Sequence, residues 1–280
     1  MKITTLVENR SKKENLIEQY GLSMLVSVGE KNILVDAGQD ETALANFLTL
    51  GLDISSIDAV FISHNHFDHI GGINAFLDRI RDDAPIYASS KYDENELFSK
   101  KLFRKKSLAS RNGDLKKYEG RLERVSDKVE IFNGAYACTI KSPDPDLVCK
   151  DKKLKMALPN GKLVPDTFEH EIYLAVIENG KLKVISSCSH NGIVNIINDA
   201  KERFNMPVSV FVGGLHTRGS SSRKLNCSRK YLNEIIERLN ESELEAIYTC
   251  HCTGIGAYKI FKEGLSFKIK YFSTGDVLNI

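Results

Sequence analysis

The sequence predicts an α/β protein: a layered α/β/β/α sandwich in which two mixed β-sheets are flanked by helices. Three observations carry this expectation. Short β-branched runs alternate with helical periods in the first half. Strands joined by tight hairpins return in the second half, and helix–strand alternation then runs to the end. Across 280 residues there is no repeat of fixed period, no low-complexity linker and no break in composition. The expectation is therefore one domain spanning 1–280, a length that a single layered α/β domain can reach.

Taken in order, ITTLVEN (3–9), LSMLVSV (22–28) and NILVDAG (32–38) read as strands bounded by Gly or charged clusters. ETALANFLTLG has helical spacing and stops at Gly51, a C′ residue. DAVFISH (58–64) is a short apolar run of the buried-strand kind. It ends in NHFDHIGG, after which INAFLDRIRDD resumes helical spacing. From about Asp93 to Lys128 the chain becomes a basic insertion. Between 100 and 128, eleven Lys and Arg residues, Arg111 among them, face only Asp114, Glu119, Glu123 and Asp127. Such an excess reads either as a solvated, partly helical excursion or as a lid lending positive charge to an anionic substrate. VEIFNG, YACTIKS, EIYLAVIE and LKVISSCSH are then strands, the last two joined by Asn179-Gly180, the strongest short-range hairpin signal. A helix (192–204), SVFVGGLH, a helix (230–239), EAIYTCHC, a helix (255–263) and FKIKYFS complete the chain.

Composition excludes several classes of function. Lys+Arg 39 against Asp+Glu 37 leaves a formal charge of +2, too balanced for a surface built to coat nucleic acid. No apolar run approaches the roughly 20 residues that span a bilayer. The opening MKITTLVENRSKKEN becomes charged before a signal core can form. A cytoplasmic protein with no membrane partner is expected, and there the cysteines stay reduced. Cys250 and Cys252 flank His251, a spacing that favours metal or redox chemistry over a structural bridge.

The histidines are the informative residues. His64, His66 and His69 follow DAVFIS, His190 ends LKVISSCS, His216 ends SVFVGGL and His251 ends EAIYTC. Six of the seven thus sit at strand ends, which converge where one edge of a sheet carries functional loops. His170, in FEHEIYL, lies at a strand start and reads as structural. SHNHFDHIGG packs His64, His66, Asp68 and His69 into one turn, and imidazole with carboxylate is the ligand chemistry of zinc and of borderline metals. Residues i and i+2 put His64 and His66 on one side of an extended segment, while Asp68 and His69, round the turn, can face a second ion. Two ions about 3.5–4 Å apart can share and acidify a hydroxide.

SHNHFDHIGG matches the H-x-H-x-D-H motif of the metallo-β-lactamase superfamily. With LVEN, YGLSMLV, NILVDAG, SSCSHNGIVNII, VGGLH and CHCTG, the chain resembles, over nearly its whole length, an uncharacterised subgroup of metal-dependent hydrolases in that superfamily. Members of the subgroup are sometimes described as related to a dihydropterin-type synthase of methanopterin biosynthesis. The resemblance implies an αββα sandwich with a dinuclear centre at one edge. It implies His64 and His66 on the first metal, Asp68 and His69 on the second, His251 as the final histidine ligand and His190 as the remaining one. The chain departs from the family pattern where a bridging Asp is usual, since VISSCSH carries Cys188 there. Cys188 either binds the second metal or is a buried thiol beside His190 as the ligand. Asp36, in LVDAG, is expected to orient a ligand histidine by hydrogen bonding. His216 is open between support of a ligand, contact or proton donation to substrate, and ligation. Thr253 and Gly254 could offer N–H groups to an anion at a helix start.

The expected activity is hydrolysis by a metal-bound hydroxide, with Asp68 orienting the water and His216 as the other catalytic candidate. The expected cofactors are two divalent ions, zinc first, with manganese or iron as the other candidates. A small anionic ester is the expected substrate, a phosphodiester such as a small or cyclic nucleotide first, because Lys and Arg suit phosphate oxygens. No substrate-binding residue is assigned. An iron-dependent oxidoreductase or dioxygenase on the same scaffold, and a non-catalytic metal sensor, are the alternatives.

Overall fold

The computed structural model describes residues 1–92, 96–101, 104–109 and 113–280. Asp93 and Arg111 of the basic insertion lie outside the described residues. The chain begins with β1 (Lys2–Val7), β2 (Ser23–Val28), β3 (Lys31–Val35), α1 (Thr42–Thr49), β4 (Ala59–Phe61), α2 (Phe67–Ile70), α3 (Ile73–Leu77) and β5 (Ile86–Ser89). It continues through β6 (Leu97–Lys101), β7 (Arg104–Ser107), β8 (Leu122–Val125), β9 (Lys128–Phe132) and β10 (Ala135–Thr139). Next come β11 (Leu154–Ala157), β12 (Leu163–Pro165), β13 (Ile172–Glu178) and β14 (Lys181–Ser186). It closes with α4 (Ile193–Phe204), β15 (Val208–Gly213), α5 (Arg229–Asn240), β16 (Ala246–Thr249), α6 (Gly254–Gly264), β17 (Lys268–Tyr271) and β18 (Val277–Asn279). Among the described residues no helix is long and apolar enough to cross a membrane.

These elements form two compact units: Met1–Lys128 with Lys152–Ile172 and Ser273–Ile280, and Val129–Asp151 with Tyr173–Phe272. The first unit holds a seven-stranded sheet in the order β18-β1-β2-β3-β4-β5-β8. β1, β2 and β3 pair antiparallel, while β3, β4, β5 and β8 run parallel. Ile33, Leu34 and Val35 are all fully buried, as a parallel strand covered on both faces requires. Leu34, Val60 and Ile86 pack with Phe47 of α1 and Phe76 of α3. Those two rings meet edge to face at 5.8 Å. Each such side chain contributes roughly 1.5–3 kcal/mol on burial.

The second unit holds a seven-stranded sheet in the order β17-β16-β15-β14-β13-β10-β9. β13 and β14 form the expected hairpin, with Asn179 at φ 53° and Gly180 at φ 71°, the left-handed pair that a two-residue turn of this hand demands. β14, β15, β16 and β17 then run parallel. Val184, Phe211 and Ile247 pack beneath Ile197 of α4, Ile235 of α5 and Phe261 of α6.

The basic insertion contains strands that its sequence did not announce. Its described residues hold the strands β6, β7 and β8 besides a 3-10 stretch at Lys116–Arg121. β6 and β7 join β11 and β12 in a four-stranded sheet of order β12-β11-β6-β7 within the first unit. β6 pairs with the adjacent β7 on one side, while its other partner, β11, lies more than fifty residues downstream, Met156 opposite Leu97 and Leu154 opposite Ser99.

Candidate metal centre

In the first unit the parallel strands β3, β4 and β5 all end at one edge, and the chemistry sits just beyond them. Asp36 follows β3, and Ser63 to His69 follow β4 into α2. Ligands bind outside the carboxyl ends of parallel strands for this topological reason. Asp36 is fully buried in the left-handed region, at φ 55°. Its carboxylate accepts Ser63 N–H at 2.8 Å and Ser63 Oγ–H at 2.6 Å. It also accepts His69 Nδ1–H at 2.7 Å. Ser63 Oγ in turn lies 2.8 Å from His64 Nδ1. Asp36 thus fixes both rings by their Nδ1 edges, His69 directly and His64 through Ser63, which makes Nε2 the coordinating nitrogen of each.

The rings converge. His64 lies 4.1 Å from His69 and 4.6 Å from His66, centroid to centroid, and His69 Nε2 is 3.8 Å from Asp68 Oδ2. His66 is buried, and burial is the main reason that its imidazole is pushed down from 6.5 to about 3. The neighbouring His170 adds to that, while Asp68 and Asp166 oppose it. A buried neutral imidazole with a carboxylate beside it is what a divalent ion needs, so these donors fit a metal.

His170, read from sequence as structural, is brought to the same cluster. Ile172 N–H donates to Ser63 O at 2.8 Å, which lays the segment before β13 along the histidine motif. His170 then faces His66 at 5.6 Å and pairs with Asp166 through Nε2 at 3.2 Å. Coordinating atoms of His66, Asp166 and His170 lie within 4.8 Å of one another. Asp-x-x-x-His at 166–170 is the local signal that could have marked them.

The second unit repeats the edge logic. Ser186, Gly213 and Thr249 are partners across β14, β15 and β16, so the segments that follow leave the sheet side by side. They carry Cys188 with His190, His216, and His251 with Cys252. Ser189, His216 and His251 all take left-handed φ values, 53°, 43° and 47°, strain of the kind that clusters at functional sites. The ring of His190, fully buried, lies 4.1 Å from that of His216, and Cys149 Sγ is 3.9 Å from His190 Nδ1. Coordinating atoms group as Cys149–His190–His216 and as Cys188–His251–Cys252, each within 4.8 Å. Burial alone would raise the Cys252 thiol. Hydrogen bonds with Cys188 and His216 and the charge of His251 outweigh burial and hold it well below the usual thiol range. All six cysteines are free thiols. Thr253 N–H donates to Cys250 O at 3.0 Å, which removes it from the anion role that the sequence suggested.

Buried imidazole, carboxylate and thiol donors at the carboxyl edges of parallel strands define a metal-binding α/β protein. Residues 17–153 match the model of the Metallo-beta-lactamase superfamily. The chain adopts the metallo-β-lactamase fold. It is 28% identical, over 99% of its own length and 96% of the relative's, to the 7,8-dihydropterin-6-methyl-4-(beta-D-ribofuranosyl)-aminobenzene-5'-phosphate synthase of Methanocaldococcus jannaschii. The structure of Tm1679, described as a metal-dependent hydrolase of the β-lactamase superfamily, superposes with a TM-score of 0.82 at 26% identity, covering 100% of this chain and 99% of that one. A diphosphatase of the PhnP family shares the fold at a TM-score of 0.55 and 15% identity, over 99% and 96% of the two chains.

Proposed function

We propose that the chain is a cytoplasmic metal-dependent hydrolase of small anionic esters, phosphodiesters first. In the first unit the metal ligands are His64, His66, Asp68 and His69; in the second they are His190 and His251, with Cys188 as a further donor. The observation that carries this reading is the Asp36–Ser63 anchor, which turns His64 and His69 into oriented nitrogen donors. Two divalent ions, zinc first, supply Lewis acidity toward a phosphoryl oxygen and lower the pKa of water. Asp68 orients the attacking water, and the half-buried His216 donates a proton to the leaving oxygen.

The preference for an anionic substrate rests on the basic sheet. Phe67 N–H, inside the histidine motif, donates to Leu108 O at 2.8 Å, and Lys106 Nζ lies 4.8 Å above the Phe67 ring. Lys100 stands opposite Lys105 across β6 and β7, a like-charge pair that an anion relieves.

The test is metal content per chain together with turnover of bis-p-nitrophenyl phosphate, with and without chelator. About two zinc or manganese ions per chain and chelator-sensitive turnover support the reading. His66→Ala should abolish that turnover while leaving the circular dichroism spectrum intact, and unchanged turnover would defeat the mechanism. The Methanocaldococcus relative, named as a synthase of a phosphate ester, favours a second reading, in which the site serves bond formation on a phosphorylated substrate. Full metal loading with every tested ester left intact would favour that second reading.

A further inference from the structure

Cys252 has no role in the reading above, yet its surroundings are built around its sulfur. Cys188, His251 and Cys252 are each at most 3% exposed. Their coordinating atoms lie within 4.8 Å of one another. Tetrahedral zinc, with sulfur at about 2.3 Å and nitrogen at about 2.0–2.1 Å, spaces its donors about 3.4–3.8 Å apart, which fits inside that spread. His216 N–H donates to Cys252 Sγ at 3.3 Å, and the Cys252 thiol donates to Cys188 O at 3.7 Å. A Cβ on Gly214 would run into Cys252 Sγ, so the second glycine of VGGLH is what leaves room for the thiol.

We propose that Cys188, His251 and Cys252 form one thiolate-rich ligand set, which selects a thiophilic ion, zinc or ferrous iron, over manganese or magnesium. This rests on the metal-hydrolase reading and deepens it, adding Cys252 as a ligand and assigning Cys188 to the metal. The alternative for two such thiols is the ordinary one, small apolar core residues with no ligand. A backbone N–H aimed at the sulfur argues against that, because it favours the thiolate that a metal takes. Sulfur donors are soft, and soft donors discriminate against hard, oxygen-preferring ions.

The test loads the metal-stripped, reduced full-length protein with Co2+ and records the near-ultraviolet thiolate-to-cobalt charge-transfer band. A band in the wild type is expected, with roughly half its intensity lost in Cys188→Ser and in Cys252→Ser and all of it in the double variant, since each thiolate contributes its own transition. Gly214→Ala, which leaves both thiols in the chain but crowds Cys252 Sγ, should weaken it, while Cys250→Ser should keep it whole. Should the serine variants fail to fold, alkylation mapping of the zinc-loaded wild type replaces them: chelator should expose Cys188 and Cys252 together. Equal alkylation with and without chelator overturns the proposal. So does a band that survives both serine substitutions. Cobalt bound without a thiolate band, alongside chelator-sensitive hydrolysis, sinks this inference and spares the hydrolase reading. A wild type that takes up no metal sinks both.

Discussion

Asp36 Oδ2 accepts the Nδ1–H of His69 at 2.7 Å, although 33 residues separate the two and both are fully buried. One carboxylate at the end of β3 thereby decides which nitrogen His69 presents, and through Ser63 it does the same for His64. Asp36→Asn isolates this relationship, because Asn tolerates the left-handed backbone at φ 55°. An amide lacks the charge and can turn an N–H toward the ring. Zinc affinity is expected to fall about 10- to 100-fold with little loss of fold. Competition with a chromophoric chelator measures it, and unaltered affinity would show that the anchor is dispensable.

The acid stability of the metal-free protein should report His66. Its pKa is 6.5 when exposed and about 3 in the fold, burial being the main cause. Between those values the unfolded chain takes a proton that the native site refuses, so stability falls as pH drops through the window. Roughly 2–3 kcal/mol is lost by pH 4.5 relative to pH 7. Urea melts of wild type and His66→Gln at the two pH values test this. A variant as acid-sensitive as the wild type removes His66 as the cause.

Lys106 supplies charge beside the histidine motif without touching its anchor. Lys106→Gln should raise KM for bis-p-nitrophenyl phosphate about fivefold, the worth of an exposed charge near 1 kcal/mol, and leave kcat unchanged. The salt dependence of kcat/KM should flatten with it. A fall in kcat at constant KM would mean that the basic sheet acts otherwise than by attracting the substrate.

The β13–β14 hairpin offers a stability test outside the donor sets. Gly180 stands at φ 71° with open space around it, so Gly180→Ala adds backbone strain and no clash. A cost of about 1 kcal/mol is expected, while metal content stays as in the wild type. Denaturant melts and metal analysis check both halves. An alanine variant as stable as wild type contradicts the turn.

Much of the site is readable in the chain because its signals are local. Asn179-Gly180 sets its own turn, and SHNHFDHIGG carries three imidazoles and a carboxylate within six positions. Asp166 and His170 were not readable as neighbours of His66, because roughly a hundred residues separate them and long-range bonds such as Ile172 N–H to Ser63 O and Asn65 N–H to His170 Nδ1 bring the segments together. The pairing of β6 with β11 was hidden for the same reason.

Residue chemistry and strand periodicity, both written locally, determine that this protein presents histidine, carboxylate and thiol donors at strand ends. Which donors can share an ion was decided only in three dimensions. Strand order and register are long-range choices, made by packing Phe47, Phe76 and Phe261 over their sheets. Parallel β14, β15 and β16 set Cys188 beside His251 and Cys252, and Asp36 beside His69 follows from the parallel pairing of β3 with β4. No local pattern encodes such pairs, because their partners meet only after loops of tens of residues have closed.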